Sequence, residues 1–249
     1  MRRTHKVGLG VFALLVAPVV RGGELRVCTD SVAPFLSIAD GKAVGIEYDI
    51  LALFATQQTL SMTLLPVEQF AELIPALQTN RCDVAAAIMT RTPERAQLVD
   101  FSASYFPVRM VLMQLRGGPV GKDLATLRGK RVGTIKGTMY EERLKRIKGL
   151  KLLYGSTYEE IARMTVDRQT DAFACDTTLA VAQLKRFPTL EIVQVVSELE
   201  YYAFALRRGS PLVPKLDQML AAIKRDGRYR TILEKHLDPE TVELVLSLQ

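Results

Sequence analysis

The chain has 249 residues, of which 48% are hydrophobic and 24% are charged, which predicts a sizeable folded core and excludes a disordered chain. The formal net charge of +6 falls to +2 once residues 1–22, with four Lys and Arg and no acid, are set aside. So small a surplus gives no support for nucleic-acid binding.

The first residues have the pattern of a secretory signal. A basic start precedes an apolar run over residues 7–20, and small residues follow near Gly22. The run is short for a membrane span, and small residues suit cleavage. We therefore predict a signal peptide over residues 1–22 and a periplasmic mature chain, with an uncleaved membrane anchor as the alternative.

Strand and helix patterns then alternate through the first half. We predict, in chain order, a strand over 25–28, a helix over 46–59, a strand over 62–67, a helix over 71–79 and a strand over 83–88. The last segment is almost continuously apolar, as a buried parallel strand is. The βαβαβ order predicts a mostly parallel sheet covered by helices.

The second half repeats this style. We predict strands over 131–135, 151–154, 170–174, 190–195 and 201–206, with helices over 138–148, 156–168 and 177–185, and two terminal helices that Gly227 separates, the last through His236. Thr138 and Ser156 each precede a Glu by three residues, the spacing of a capping box. Two such halves without a linker predict two lobes joined by crossing strands, the first over 107–115.

Three cysteines cannot all pair with one another, and secretion would permit one disulfide. Cys28 and Cys82 fall near strands of the same predicted half. They are the pair to consider, although a disulfide also requires that the two Cα atoms lie within about 7 Å.

Three segments end a strand and begin a helix, which is where open α/β sheets bind their ligands. In the first, Thr92 caps the helix and Pro93 suits its first position. Arg95 then lies in the first turn, where a guanidinium can grip a carboxylate with two hydrogen bonds. The alternative is a surface ion pair of Arg95 with Glu94 or Asp100.

The second and third segments offer complementary groups. Gly137 permits a turn and Thr138 caps the next helix, whose free N–H groups would meet the same carboxylate, unless the turn is a plain cap. Asp176 is either a helix cap or, if it faces a cleft, the partner of an ammonium group.

A series of motifs follows in order across roughly residues 24–238: Thr29-Asp30, Ala33-Pro34-Phe35, Gly45-Ile46-Glu47-Tyr48-Asp49, Leu73-Ile74-Pro75-Ala76-Leu77, Thr92-Pro93-Glu94-Arg95, Val99-Asp100-Phe101-Ser102, Gly137-Thr138, Asp176 and Gly227-Arg228-Tyr229. Together they resemble the signature of family 3 extracellular solute-binding proteins, the polar amino-acid receptors of ABC importers. The resemblance implies an α/β fold, the two-lobed periplasmic binding protein type II fold. Each lobe is then a mostly parallel sheet flanked by helices, with hinge strands between.

The resemblance also implies a discontinuous first lobe, over residues 24–108 and 203–249, and a second lobe over 109–202 that closes on the ligand. It implies that Arg95 binds the ligand α-carboxylate, helped by the main-chain N–H groups of Thr138 and Met139. Phe70 would stack on the ligand from the first lobe.

For the ligand α-ammonium, the resemblance implies Asp176, Thr90 and the carbonyl of Ile88. Asp30 would reach towards the ligand side chain. Val32 stands where family members often carry an aromatic residue, and Ile88 where a small polar residue is frequent. Both departures leave the identity of the ligand open.

The implied function is capture of an amino acid or related small carboxylate by a monomer that delivers it to an ABC permease, without a cofactor, a metal or catalytic residues. A secreted dehydratase acting on a prephenate-like acid, the N-terminal domain of a lytic transglycosylase and a periplasmic sensor receptor are the alternatives. His236 is the single histidine after the signal, which argues against His-based triads and multi-His metal sites.

Overall fold

A computed structural model describes residues 23–39 and 41–248. The predicted signal peptide over residues 1–22 lies outside these ranges. Within them, no helix combines the length and the apolar character that crossing a bilayer requires.

The described residues form short strands and helices that alternate along the chain. The strands are β1 (Glu24–Thr29), β2 (Ser37–Ala39), β3 (Lys42–Val44), β4 (Ser61–Pro66), β5 (Val84–Ala86), β6 (Asp100–Phe101), β7 (Phe106–Val108), β8 (Met110–Leu115), β9 (Arg131–Thr134), β10 (Lys151–Tyr154), β11 (Ala172–Asp176), β12 (Leu190–Val195), β13 (Glu200–Tyr202) and β14 (Ala205–Leu206). The helices are α1 (Ile46–Gln57), α2 (Leu73–Gln78), α3 (Pro93–Ala96), α4 (Met139–Leu144), α5 (Tyr158–Val166), α6 (Thr177–Arg186), α7 (Leu212–Arg225), α8 (Arg228–Glu234) and α9 (Pro239–Ser247), with 3₁₀ helices over Phe70–Glu72 and Leu124–Leu127.

Two five-stranded sheets organise the molecule. The first has the order β4-β1-β5-β14-β6 and the second the order β10-β9-β11-β8-β12. Each sheet contains one strand, β14 or β8, that runs against its neighbours. We call the first sheet with its helices the first lobe and the second sheet with its helices the second lobe. The first sheet contains β1, β4, β5 and β6 from before the strands of the second sheet and β14 from after them, so the chain leaves the first sheet and returns to it.

A two-stranded ribbon lies where the chain passes between the lobes. Strands β7 and β13 pair antiparallel, with Phe106 opposite Tyr202. The loop after β5 docks on the same ribbon, since the main-chain N–H of Ala203 donates to the carbonyl of Met89 at 3.1 Å. The ribbon therefore connects the ends of both lobes to the segment that leads to α3.

Aromatic rings pack at this junction. The ring of Phe35 meets Phe106 edge to face at 4.9 Å between centroids and Tyr202 at 5.5 Å. All three side chains are fully buried or nearly so. Edge-to-face packing of this kind adds to the stability that burial of the rings already gives.

Several predicted helix boundaries differ from the observed ones. The cap of α5 lies one residue later than predicted, because the hydroxyl of Thr157, and not that of Ser156, accepts the N–H of Glu160 at 3.1 Å. Helix α4 is shorter than predicted because the basic run after Leu144 forms turns. Helix α8 ends before His236, and the sequence analysis missed α9 although Asp238 caps it.

Cys28 and Cys82 form a disulfide, with their Cα atoms 5.7 Å apart. Cys28 lies opposite Ala85 in the parallel pair of β1 and β5, so the turn before β5 brings Cys82 beside β1. The considered pairing is thus confirmed. Cys175 stays a free thiol, and burial raises its pKa well above the usual value.

We predict that the denatured chain exposes one thiol to Ellman's reagent before reduction and three after it, because the sequence holds three cysteines and two are paired. Replacing Cys28 and Cys82 together with Ala is expected to lower the free energy of unfolding by about 4 kcal/mol, since the bond closes a long loop in the unfolded chain. Cys175→Ala is the matched control and keeps the disulfide. Three thiols before reduction would contradict the pairing.

Candidate functional site

The segment after β5 folds as its sequence predicts. The hydroxyl of Thr92 accepts the main-chain N–H of Arg95 at 3.3 Å, and Pro93 occupies the first position of α3. This cap fixes the backbone of Arg95 at the carboxyl end of a buried strand. The side chain is thereby directed into the space between the lobes.

The guanidinium of Arg95 is buried between the two lobes, with 5% of the residue exposed. It donates to the carbonyl of Thr90 at 3.0 Å in the first lobe and to the carbonyl of Gly137 at 3.1 Å in the second. It also lies over the ring of Phe70, 5.3 Å from the centroid. Burial lowers its pKa, an effect that the more distant Glu142 opposes. Among the described residues no carboxylate forms an ion pair with it, so the site contains a buried cation without a counter-ion.

Six of the eight residues predicted to bind ligand line one small cavity beside this guanidinium. The cavity is about 10 Å³, the space of roughly one water molecule. We call it the Arg95 chamber, and its lining residues are Phe70, Ile88, Thr90, Arg95, Thr138, Met139, Tyr140 and Tyr158. Asp30 and Asp176 lie outside this chamber, and Tyr140 and Tyr158 are additions that the sequence analysis missed.

The wall of the chamber from the second lobe is a capped helix end. The hydroxyl of Thr138 accepts the N–H of Glu141 at 3.3 Å, and a carboxylate oxygen of Glu141 accepts the N–H of Gly137 at 2.7 Å. The first bond is the predicted cap. The second differs from the predicted capping box, because Glu141 bonds the residue before the cap, and the N–H of Thr138 donates to the carbonyl of Ile135 instead. The N–H of Met139 then heads α4, where no preceding turn supplies an acceptor.

Asp176 is a helix cap with a further bond. Its Oδ1 accepts the main-chain N–H groups of Thr178 at 2.8 Å and Leu179 at 2.9 Å, and its Oδ2 accepts the hydroxyl of Tyr202 at 2.5 Å. The residue has no exposed surface. Burial raises its pKa, and the three hydrogen bonds oppose that rise. The capping function considered from the sequence is thus observed, and Asp176 lines neither the Arg95 chamber nor the larger cavity beside Asp30.

Three buried tyrosines surround this carboxylate. Burial raises the pKa of Tyr140, Tyr158 and Tyr202 well above the usual value, and the nearby charge of Asp176 adds to the rise. All three hydroxyls are therefore protonated at neutral pH. The sequence analysis missed Tyr158 because an aromatic residue in the first turn of an amphipathic helix is typical of a core position.

Asp30 faces a much larger cavity between the lobes, of about 540 Å³. We call it the Asp30 cavity, and Ser156, Tyr158 and Gln183 also line it. Burial raises the pKa of Asp30, while a hydrogen bond with the main-chain N–H of Ser31 lowers it. In the part of the chain that the structure describes, no cation pairs with this carboxylate.

Metal ligands are a separate question. In residues 23–39 and 41–248, no group of three or more His, Cys, Asp or Glu side chains is arranged to hold a metal ion. His236 instead contacts Asp49 at 3.1 Å, and Lys235 approaches the same oxygen at 3.2 Å.

A buried glutamate that the sequence analysis did not select as a functional residue supports the chamber wall. Glu47 is 1% exposed, and its Oε1 accepts the main-chain N–H of Ile88 at 3.0 Å and the hydroxyl of Tyr105. Ile88 has a φ of +50°, a left-handed conformation that costs a β-branched residue about 1–2 kcal/mol. Burial raises the pKa of Glu47 to about 7, the hydrogen bonds oppose this rise, and the charge of Asp30 adds to it.

We predict that Glu47 makes the protein less stable as pH rises from about 4.5 to about 7. The pKa of Glu47 is higher in the folded than in the unfolded chain. As pH rises, the unfolded state therefore loses the proton first and becomes more stable relative to the folded state. The loss amounts to about 3 kcal/mol across this window. Glu47→Gln is neutral at every pH and keeps an oxygen acceptor, so its urea-unfolding free energy should change less with pH than that of the wild type. Parallel curves for the two proteins would contradict the raised pKa.

Comparison with known proteins places the chain in a family. The sequence matches the family described as bacterial extracellular solute-binding proteins, family 3, over residues 25–239. The amino-acid-binding protein AabA of Dichelobacter nodosus is 26% identical over 201 residues, which are 78% of this chain and 79% of the relative. The membrane-bound lytic murein transglycosylase F of Aeromonas hydrophila is 33% identical over 102 residues, 41% of this chain but only 21% of the transglycosylase.

A solved structure of an ancestral arginine-binding protein bound to arginine superposes with a TM-score of 0.81 at 32% identity, covering 88% of this chain and 100% of that one. The chain therefore has the two-lobed periplasmic binding protein type II fold that its motifs predict. It belongs to the bacterial extracellular solute-binding proteins of family 3.

Proposed function

We propose that the protein is a periplasmic receptor that captures an amino acid or related small carboxylate between its lobes and delivers it to an ABC importer. The family and the amino-acid-binding relatives support ligand capture. Delivery to a permease, action as a monomer and export by the signal peptide are proposed from the family resemblance. We propose lobe boundaries at residues 24–108 with 203–249 and at 109–202, because these divide the chain at the β7–β13 ribbon.

The buried guanidinium of Arg95 is the observation that carries this proposal. A cation removed from water costs free energy unless an anion or strong hydrogen bonds compensate. Arg95 has two carbonyl acceptors but no carboxylate among the described residues. A ligand carboxylate would supply the missing charge with the planar geometry that a guanidinium prefers. The N–H of Met139 at the start of α4 would support the same group.

The ligand ammonium is assigned to Asp176 in this proposal. Its Oδ2 accepts only the hydroxyl of Tyr202, and a carboxylate oxygen has capacity for a second donor. Thr90 and the carbonyl of Ile88 line the chamber and would complete the binding of the ammonium. Phe70 would cover the ligand from the first lobe, where its ring already lies beneath Arg95.

Closure of the lobes would be driven by the difference in ligand affinity between open and closed states. The lobes approach closely at Gly137, whose φ is +80° and whose added Cβ would lie 2.8 Å from the Cβ of Ala71 in the first lobe. The Arg95 bond to the Gly137 carbonyl spans the same gap. Only glycine permits this approach.

We predict that Arg95→Ala lowers ligand affinity at least 100-fold, because at least two charge-assisted hydrogen bonds of about 1.5–3 kcal/mol are lost. The probe is whichever of the twenty amino acids gives the largest thermal shift with the wild type, and the measurement is calorimetry. The melting temperature of the ligand-free protein should not fall, because an uncompensated buried charge is removed.

Asp176→Asn is the companion variant in the same calorimetry, since Asn still caps a helix but lacks the charge. It should weaken binding of amino acids and leave the fold intact. Unchanged affinity in Arg95→Ala would overturn the proposed function.

We further predict that Gly137→Ala weakens the same ligand at least tenfold, because the new methyl group holds the lobes apart. Gly129→Ala is the matched control, since Gly129 has a φ of +78° and no atom within 4 Å of an added Cβ. Both variants place alanine in a left-handed backbone conformation and have the same conformational cost. They differ in that only the methyl group at residue 137 would contact the other lobe. Equal affinities of the two variants would show that closure does not depend on this contact.

A further inference from the structure

Tyr158 lines both the Arg95 chamber and the Asp30 cavity. It is the first residue of α5, where the main-chain N–H of Glu160 donates to the hydroxyl of Thr157 and fixes the helix start. The residue is buried, with 8% of its surface exposed. The ring is therefore a wall shared by a space of about 10 Å³ and one of about 540 Å³.

The hydroxyl of Tyr158 has the environment of a ligand contact. It lies within electrostatic range of Asp176, Asp30 and Arg95, the three charged residues predicted to bind ligand. No hydrogen bond joins it to any residue within the ranges that the structure describes, whereas Tyr202 nearby donates to Asp176. Because Tyr158 lines both cavities, its hydroxyl is placed to take a hydrogen-bond partner from a ligand.

Arg95 and Asp30 carry opposite charges on the two sides of Tyr158, and neither forms an ion pair with a described residue. The Asp30 cavity is also lined by Lys185, Arg186 and Glu159, but Lys185 pairs with Asp238 and Arg186 pairs with Glu159. Arg95 is on one side, with only carbonyl acceptors, and Asp30 is on the other, with only the N–H of Ser31. The Arg95 chamber is too small for a whole amino acid, while the Asp30 cavity has the volume of an ordinary ligand site. A ligand that satisfies both charges has to lie across the tyrosine.

We propose that Tyr158 determines the ligand specificity of this cleft, by binding with its hydroxyl an elongated ligand that carries a carboxylate at Arg95 and a cationic group near Asp30. The ring separates the two spaces, so a ligand that fills both must be unbranched where it passes the ring. This proposal rests on the proposed function, because it presumes capture in the same cleft.

The test compares the wild type with Tyr158→Phe and Tyr158→Ala by calorimetry against two probes. L-Lysine is long and ends in a cation, and L-norleucine is a neutral amino acid with a similar unbranched side chain. The wild type is expected to bind L-lysine at least tenfold more tightly than L-norleucine. Tyr158→Phe should weaken L-lysine about three- to tenfold, which is the effect of one lost hydrogen bond.

Tyr158→Ala removes the ring that separates the two cavities as well as the hydroxyl. Its preference for L-lysine over L-norleucine should therefore fall below about threefold. Tyr201→Phe is the matched control, because its hydroxyl donates to the carbonyl of Leu248 away from the cleft. It should bind both probes as the wild type does. Circular dichroism and melting temperature check that each variant is folded.

The outcomes separate the two proposals. Wild-type affinities and an unchanged ratio in both Tyr158 variants would overturn the specificity assignment and leave the proposed function standing. Absence of L-lysine binding to the wild type, while other amino acids bind, would also overturn it. The proposed function itself would be overturned by a different result, namely that Arg95→Ala binds the ligand with the same affinity as the wild type.

Discussion

The structure depends on one buried cation between two lobes. The guanidinium of Arg95 donates hydrogen bonds to a carbonyl from each lobe, so this charged group joins the two lobes. Carbonyl oxygens carry only partial charge and compensate a cation incompletely. This arrangement therefore favours an anion near Arg95. In the proposed function, that preference would make closure depend on a ligand and not on contacts between the lobes alone.

Glu47 transmits the geometry of this site to the hinge. It bonds Ile88 in the chamber wall and Tyr105, which directly precedes strand β7 of the connecting ribbon. The left-handed backbone of Ile88 persists because a buried carboxylate holds its N–H. A strained backbone conformation of this kind persists only when several surrounding contacts hold it in place. The chamber wall and the hinge are in this way parts of one hydrogen-bonded unit.

The sequence was sufficient for features set by local chemistry. Thr92 with Pro93, and Thr138 with Glu141, are short-range caps whose geometry follows from spacing, and the structure contains both. The chamber could be anticipated because Arg95 and Thr138 each follow a strand end. What depended on distant contacts was missed. Tyr158 was hidden within an apolar helix pattern.

The position of Glu47 illustrates the same limit. Its sequence neighbours place it in the first turn of α1, where an acidic residue is ordinarily explained by the helix dipole. Only the fold brings the main chain of Ile88 and the hydroxyl of Tyr105 to it, from residues 41 and 58 positions away. The one-residue shift of the α5 cap has a related cause. With Thr157 as cap, Tyr158 and Ile161 both lie on the buried face, so tertiary packing chooses between two adjacent capping signals.

The carboxyl groups near the cleft differ in the chemistry that their positions allow. General acid–base catalysis needs a group whose proton lies within hydrogen-bonding reach of the substrate and whose pKa is near the working pH. Glu47 has such a pKa, but it lines neither the Arg95 chamber nor the Asp30 cavity, and its Oε1 accepts hydrogen bonds from Ile88 and Tyr105. Asp176 caps α6 with its Oδ1 and accepts the hydroxyl of Tyr202 with its Oδ2. Asp30 and Glu159 both line the Asp30 cavity, but Glu159 pairs with Arg163 and Arg186, so Asp30 is the lining carboxyl group without an ion pair among the described residues. A dehydratase of this fold would rely on Asp30, and in the proposed function the same group is the counter-charge for a bound cation.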